Sequence, residues 1–313
     1  MEGLRLTVDC LNHKHCVLNL EKHETGVAMK KFDYYKPESL KEAYKLMEKL
    51  KGQALYVAGG TDVIVRIKQK VIQPDALISL RGVDELRGVE ENGGLVLGAG
   101  TLFREMERHE SLASRYTALH QAVCLLANPQ IRNVATVGGN LCNAAPSADA
   151  APPLLVLEAQ VQLEGPGGSR NVALEDFFTG PGETSKEREE IMTRIVIPEL
   201  PVNTGTAFLK IGRVSQDIAI ANAAALVTME NGVCRRCRLA MGAVAPVPLR
   251  LKSIEEKVEG HRVDEDLLEE IGKLVCEAVS PINDVRSTAE YRREVSGVLI
   301  KRAIRNAVTL AGV

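Results

Sequence analysis

Two short segments hold the residues of this 313-residue chain best suited to chemistry: Ala58-Gly59-Gly60-Thr61-Asp62 and Thr136-Val137-Gly138-Gly139-Asn140. Each pairs a diglycine with hydroxyl or amide neighbours, and neither contains a lysine. A glycine has no Cβ, so its backbone N–H can approach a phosphate oxygen closely. Hydrogen bonds to a charged acceptor contribute roughly 1.5–3 kcal/mol each. Amides from two places, helped by the Thr61 and Thr136 hydroxyls, would anchor a diphosphate without any basic side chain. Either diglycine alone reads as a tight turn; the pair carries the expectation.

The elements that must position these segments follow from periodicity. Lys31 to Tyr35 reads as a strand. A helix then opens at Ser39 with Glu42 three residues on, bears Leu40, Ala43, Tyr44, Met47 and Leu50 as its apolar stripe, and closes at Gly52. Leu55 to Ala58 is a short buried strand running into the first diglycine, so a βαβ unit delivers that loop. Val63 to Ile67 and Ala76 to Leu80 look strand-like, and Gly88 to Ala99 forms a hairpin turned at Asn92-Gly93. Helices are expected over Leu102 to Glu110 and Ala118 to Leu126. Beyond the second diglycine, the apolar stretch Ala150 to Leu157 leads to a hairpin turned at Gly165 to Gly168, then the strand Ile191 to Ile197. From about Asn203 the pattern becomes a three-stranded meander, Thr206 to Ile211, Ile218 to Met229 and Val233 to Ala243. Two helices follow, the last capped by Ser287 with Glu290 and apolar at Tyr291, Val295, Val298 and Leu299. The fold class is α+β. Residues 1–28, which hold three of the six histidines, read as a polar extension, and Met29 as a second beginning.

Other motifs fail on their own chemistry. Gly98-Ala99-Gly100 starts like a dinucleotide fingerprint, but Phe103 occupies the third glycine position and no acid lies about twenty residues on, so a helix entry capped by Thr101 is expected instead. No glycine stretch ends in Gly-Lys-Ser or Gly-Lys-Thr, which excludes a Walker loop. Cys234 and Cys237 lie three apart in a strand, where alternation should point them to opposite faces. Cys10, His13, His15 and Cys16 are too closely spaced for an ordinary zinc site. His109, His120 and His261 sit among charged residues and read as surface groups. No serine–histidine–acid or paired-carboxylate set assembles, so any chemistry is expected to reside in a bound cofactor, with neither a catalytic side chain nor a metal site on this chain.

Composition narrows the partners. Hydrophobic residues make up 45% and charged residues 26%, and 39 basic against 41 acidic side chains give a net charge of −2, which offers no footprint for nucleic acid or an acidic membrane. Tryptophan is absent and aromatics are 4%, too few for a base-stacking surface. The start lacks a signal-like pattern, and the longest apolar run, Ile218 to Met229, is too short to insert in a membrane. Seven irregularly spaced cysteines fit reduced thiols. A cytoplasmic protein is expected.

The run from Asn128 to Asp149, NPQIRNVATVGGNLCNAAPSAD, resembles the second flavin-binding segment of the medium, FAD-binding subunit of molybdenum hydroxylases, the xanthine dehydrogenase and aerobic carbon monoxide dehydrogenase family. Ala58 to Asp62 resembles the first segment, while Phe208 to Arg213 with Asp217 to Ala219, and Ser280 to Arg286 with Tyr291-Arg292, resemble the C-terminal domain. The likeness runs in order from about Met29 to Ala311. It implies a two-subdomain FAD-binding fold (PCMH-type), 29–200 with subdomains of about 29–82 and 83–200. A C-terminal domain, 203–313, like that of the carbon monoxide dehydrogenase flavoprotein, would follow.

By the same resemblance, Ala58, Gly59, Gly60, Thr61, Asp62, Thr136, Gly138, Gly139 and Asn140 would hold the FAD diphosphate. Asp149 would face the sugar–adenine half, Leu126 and Met192 the isoalloxazine faces, and Lys210 the region beside the ring. No clustered cysteines suggest the extra iron–sulfur cluster that one branch carries. The implied role is electron transfer: a small iron–sulfur subunit and a large molybdopterin subunit as partners, and NAD or another molecule as acceptor. A self-contained FAD-dependent oxidase or reductase, and a non-enzymatic interaction module with idle glycine turns, are the competing readings.

Overall fold

A computed structural model describes residues 5–12, 14–21, 30–51 and 53–312. The chain opens with two antiparallel strands, β1 (Arg5–Asn12) and β2 (His15–Glu21), where a polar extension is expected. β2 pairs antiparallel with β3 (Phe32–Tyr35), so the hairpin lengthens the first sheet. Helix α1 (Leu40–Lys49) follows, capped by Ser39, whose Oγ accepts from Glu42 N–H at 3.2 Å; its buried Ala43 and Met47 lie on the predicted stripe. The expected stop at Gly52 falls outside the described residues.

Strand β4 (Ala54–Val57) runs into Ala58-Gly59-Gly60, and α2 (Val63–Lys68) comes next. This corrects the strand expected at Val63 to Ile67. Those β-branched residues favour a strand locally, but Gly60 at φ +74° turns the chain, and its carbonyl accepts from Ile64 N–H. The helical turn buries Ile67 beside Phe32, Val57 and Leu77. Strand β5 (Ala76–Ser79) completes a sheet ordered β1-β2-β3-β5-β4, with β5 parallel to both neighbours.

The second layer begins with β6 (Val89–Glu91) and β7 (Gly94–Gly98), joined at Asn92-Gly93 as the sequence predicts. Helices α3 (Phe103–Glu107) and α4 (Glu110–Ser114) replace the single helix expected there. Thr101 does not cap α3: its hydroxyl donates to Gly88 O, and Leu102 N–H is held by the Glu105 carboxylate at 2.9 Å. Then come α5 (Thr117–Leu125), α6 (Pro129–Arg132), α7 (Val137–Asn143) and α8 (Ala151–Val156). Gly138-Gly139 therefore opens a helix rather than forming a free turn. The hairpin β8 (Gln160–Gly165) and β9 (Gly168–Ala173) leads through α9 (Leu174–Phe177) and the small pair β10 (Phe178–Gly180) and β11 (Glu183–Thr184) to β12 (Ile191–Pro198). The resulting antiparallel sheet is ordered β6-β7-β12-β8-β9.

A third antiparallel sheet contains β13 (Thr204–Ile211), β14 (Ala221–Glu230), β15 (Val233–Gly242) and β16 (Leu249–Arg250), four strands where three are expected. After it come α10 (Lys252–Val258), α11 (Glu265–Ala278) and α12 (Ala289–Leu310). The cap of α12 is Thr288, one residue past the expected Ser287, and Tyr291 and Val298 are exposed, while Arg292, Ser296, Leu299, Ile300, Ala303 and Ile304 face inward. The sheet is covered on both sides. Phe208, Ala224, Leu226 and Ala240 join the core containing α5 and α8, whereas Ala207, Ala223, Ala225, Leu239 and Met241 pack with α11 and α12. Double burial explains why β14 is almost continuously apolar.

One strand irregularity overturns the expectation for the two cysteines of β15. Thr228 pairs with Arg236 but Met229 with Cys234, so Arg235 is an extra residue in a bulge. The bulge resets the alternation, and Cys234 and Cys237 both enter the same buried core.

Candidate functional site

The two diglycine segments meet. Gly59, on the loop leaving β4, faces the chain just before α7: a Cβ placed on it would overlap Val134 O and lie 2.8 Å from Val134 C and 2.9 Å from Ala135 Cα. A Cβ on Gly139 would stand 2.8 Å from Thr136 Oγ1 and 3.8 Å from Ala58 Cβ, and one on Gly138 would strike Ala99. At Gly59 backbone occupies the space a side chain would need, at Gly138 both the backbone and the side chain of Ala99 do, and at Gly139 the Thr136 hydroxyl does. Around the junction opens a cleft of ≈ 720 Å³, and every residue selected from the sequence lines it: Ala58, Gly59, Gly60, Thr61, Asp62, Leu126, Thr136, Gly138, Gly139, Asn140, Asp149, Met192 and Lys210.

The two loops do not offer equal donors. In the second, Val137 N–H is bound to Thr101 O, Gly138 N–H to Ala99 O at 2.8 Å, Gly139 N–H to Thr136 Oγ1 at 3.1 Å, and Asn140 N–H to Thr136 O. In the first, the amides of Gly59, Gly60, Thr61 and Asp62 have no acceptor among the described residues. The expectation of amides from both segments is corrected for Val137 to Asn140. The first loop presents backbone donors, and the second presents side chains. Thr136 Oγ accepts from Gly139 and keeps its own hydrogen to donate, while Asn140 Oδ1 is buried without a partner among the described residues.

The apolar side of the cleft is fixed from below. Leu126 ends α5, and its carbonyl accepts from the buried Arg132 Nη1 at 2.8 Å; Arg132 Nε is in turn bound to Glu107 at 3.1 Å. Burial opposes ionisation of Glu107, but bonds from Arg104 and Arg132 hold its carboxyl below the usual range. Ala127 takes φ +44°, and Asn128 caps α6 through Ile131 N–H, so the backbone at Leu126 has little freedom. Met192 is aimed by a bulge: it pairs with Leu163 while Arg194 pairs with Gln162, leaving Thr193 as the extra residue.

Asp149, expected against the sugar–adenine half of a cofactor, and Lys210, expected beside its ring, form one buried ion pair at 2.6 Å. Lys210 Nζ also donates to Leu125 O at 3.2 Å, and Asn222 Nδ2 donates to the other Asp149 oxygen at 3.0 Å. The two side chains therefore lie in one region of the cleft. Burial pushes the Asp149 carboxyl up, against the opposing pull of Lys210.

Sequence reasoning missed Tyr56, a residue of the cleft lining whose hydroxyl is buried without a partner among the described residues. Burial pushes its phenol far above the ordinary value. Arg66 of α2 and Lys186 and Arg188 of the loop between β11 and β12 also line the cleft; their only signal is position. His109 and His120 are partly exposed and His261 exposed.

The profile of the FAD binding domain in molybdopterin dehydrogenase matches residues 30–200, and that of the CO dehydrogenase flavoprotein C-terminal domain matches 206–307. The chain belongs to the FAD-binding subunits of the molybdenum hydroxylase family. FAD is its cofactor, and it is an oxidoreductase component. This flavoprotein subunit is 34% identical over 283 residues to the xanthine dehydrogenase FAD-binding subunit of Escherichia coli O157:H7, spanning 89% of this chain and 97% of the relative. It is 34% identical over 277 residues to the carbon monoxide dehydrogenase medium chain of Afipia carboxidovorans, spanning 88% and 96%. The fold agrees with the carbon monoxide dehydrogenase from Hydrogenophaga pseudoflava that lacks the Mo-pyranopterin moiety, at a TM-score of 0.88 and 31% identity over 91% of this chain and 99% of that one. No helix among the described residues of the subunit is long and apolar enough to cross a membrane.

The cleft suits that cofactor on its own evidence. Free amides at Gly59 to Asp62, an available hydroxyl on Thr136 and the unpartnered atoms of Tyr56 and Asn140 answer the polar needs of a dinucleotide. Leu126 and Met192 supply apolar surface.

Proposed function

We propose that this chain is the electron-transfer subunit of a molybdenum hydroxylase complex. It would take electrons from the iron–sulfur clusters of a small subunit, supplied by substrate oxidation on a large molybdopterin subunit, and deliver them to NAD or another acceptor. The observation that carries the reading is the convergence of all the sequence-selected residues on one cleft. FAD, when bound, supplies the ability to accept electrons one at a time and release them as a pair with a proton.

The chain's own residues do the holding. Gly59, Gly60, Thr61 and Asp62 present backbone donors to the diphosphate, with Thr136 and Asn140 opposite. Leu126 and Met192 offer apolar contact to the ring system, and the Asp149–Lys210 pair places a fixed ammonium and carboxylate in the cleft. None of these groups is arranged as an acid–base pair for a separate substrate, which favours an electron conduit over a self-contained oxidase.

Purification of the native complex tests this. The expected result is a yellow chain that copurifies with iron and molybdenum in separate polypeptides and is reduced by the complex's substrate only when those partners are present. A yellow chain that purifies alone and oxidises a small substrate itself would replace this reading, and a chain that stays colourless after FAD addition would end it.

A further inference from the structure

The third sheet carries a polar row where β13, β14 and β15 lie side by side near the cleft. Lys210 in β13 pairs with Asn222 in β14, and Asn222 pairs with Gly242 in β15. By the alternation of strands these residues share the face of Phe208, Ala224 and Ala240, the face turned toward the core that underlies the cleft. Asn222 is fully buried there. Its Nδ2 reaches across to Asp149 Oδ1 at 3.0 Å, and the remaining oxygen of Asp149 holds Lys210 Nζ at 2.6 Å.

Room for this amide is built in. A Cβ on Gly242 would stand 3.2 Å from Asn222 Cγ and overlap Asn222 Oδ1, and Oδ1 has no hydrogen-bond partner among the described residues. A fully buried amide that leaves one end unsatisfied is costly, and an apolar side chain would pack in this face without that cost. What the amide supplies is a donor to a single carboxylate.

We propose that Asn222 is a positioning residue for the flavin site: it fixes Asp149 so that the carboxylate presents Lys210 in one orientation to the cleft. Asn222 does not line the cleft, so it acts through Asp149. The inference rests on the reading of the cleft as the FAD site.

The test is a double-mutant cycle on the purified chain, with FAD titrated by fluorescence and the visible flavin spectrum recorded at saturation. Asn222→Leu, close in volume but unable to donate, is expected to weaken FAD binding about tenfold, the scale of a lost bond to a charged group, and to shift the visible flavin band. In an Asp149→Asn background the same change is expected to add less than about twofold, because the group it acts through is gone. Asn222→Ser, too short to reach Asp149, serves as the second variant should the leucine fail to fold, with the same expectations. Parent-like affinity and spectrum in a folded variant, or an effect that adds fully to that of Asp149→Asn, would overturn the positioning role while leaving the FAD site standing. A parent chain that takes up no FAD would overturn both.

Discussion

Gly59 and Val134 touch so closely, backbone to backbone, that not even a methyl group fits between them. Seventy-five positions separate them in the chain (134 − 59 = 75), yet this contact joins the two halves of the flavin cleft. Gly59→Ala must push the loops apart. Overpacking of this kind costs about 1–3 kcal/mol, and the displaced loop should lose its cofactor. A lowered melting temperature together with a reduced flavin-to-protein absorbance ratio is the expected outcome, and unchanged flavin content would show that the junction does not define the site.

Gly139→Val acts from the other side. Its side chain would enter the space of Thr136 Oγ1 and approach Ala58, breaking the cap of α7, whose loss costs about 1 kcal/mol. Flavin retention should be abolished. Thr136→Ala removes the same cap without adding bulk, so it should bind FAD measurably more weakly than the parent but better than the valine variant. Equilibrium dialysis of the two against FAD gives the ranking.

Lys210→Ala leaves Asp149 buried, bound only to Asn222 and without the ammonium that opposes its protonation. Breaking one side of a buried pair costs about 3–5 kcal/mol, so the variant should melt well below the parent even without flavin. Adding Asp149→Asn should restore much of the loss. If the single variant is as stable as the parent in denaturant titration, the pair is not the buried lock described above.

Tyr56→Phe deletes a hydroxyl that has no partner among the described residues. The empty chain should be as stable as the parent or more so, since removing an unsatisfied buried group relieves a cost of about 1–3 kcal/mol. FAD affinity should fall several-fold, to about tenfold at most. Calorimetry on the two proteins, with and without FAD, separates these opposite effects.

Asp284 gives a pH signature away from the cleft. Burial opposes its ionisation, but Arg286, through both side chain and backbone, and the buried Arg292 hold its carboxyl far below the ordinary 3.8. A depressed folded-state value means the contribution is complete above the unfolded value and is lost as pH falls through the folded one. The difference in melting temperature between parent and Asp284→Asn should therefore be constant from neutral pH down to about 5 and shrink only below it. A difference that already shrinks between pH 6 and 5 would contradict the assignment.

Local chemistry made much of this molecule readable. Asn231 and Gly232 adopt φ 53° and 75°, the two positive angles that an Asn-Gly hairpin supplies, and Ser39 caps its helix as its spacing implies. The cleft residues were recoverable because they cluster in two short segments and a long ordered resemblance. Contacts remote in sequence were not. The helix at Val63 is imposed on a β-branched run by the loop before it, the bulge at Arg235 depends on the partner strand, and the expenditure of the Gly138 and Gly139 amides on Ala99 and Thr136 needs β7 and α7 side by side. Asn222 sits in a strand of alanines, where nothing local distinguishes it from a weak strand former.

The unanswered amides of Gly59 to Asp62 tie the endurance of this protein to vitamin supply. A cleft built with waiting donors gains free energy whenever its ligand arrives, so the midpoint of thermal unfolding should climb with the logarithm of free FAD once that exceeds the dissociation constant. In a cell starved of riboflavin, the unliganded population would be the one that unfolds first.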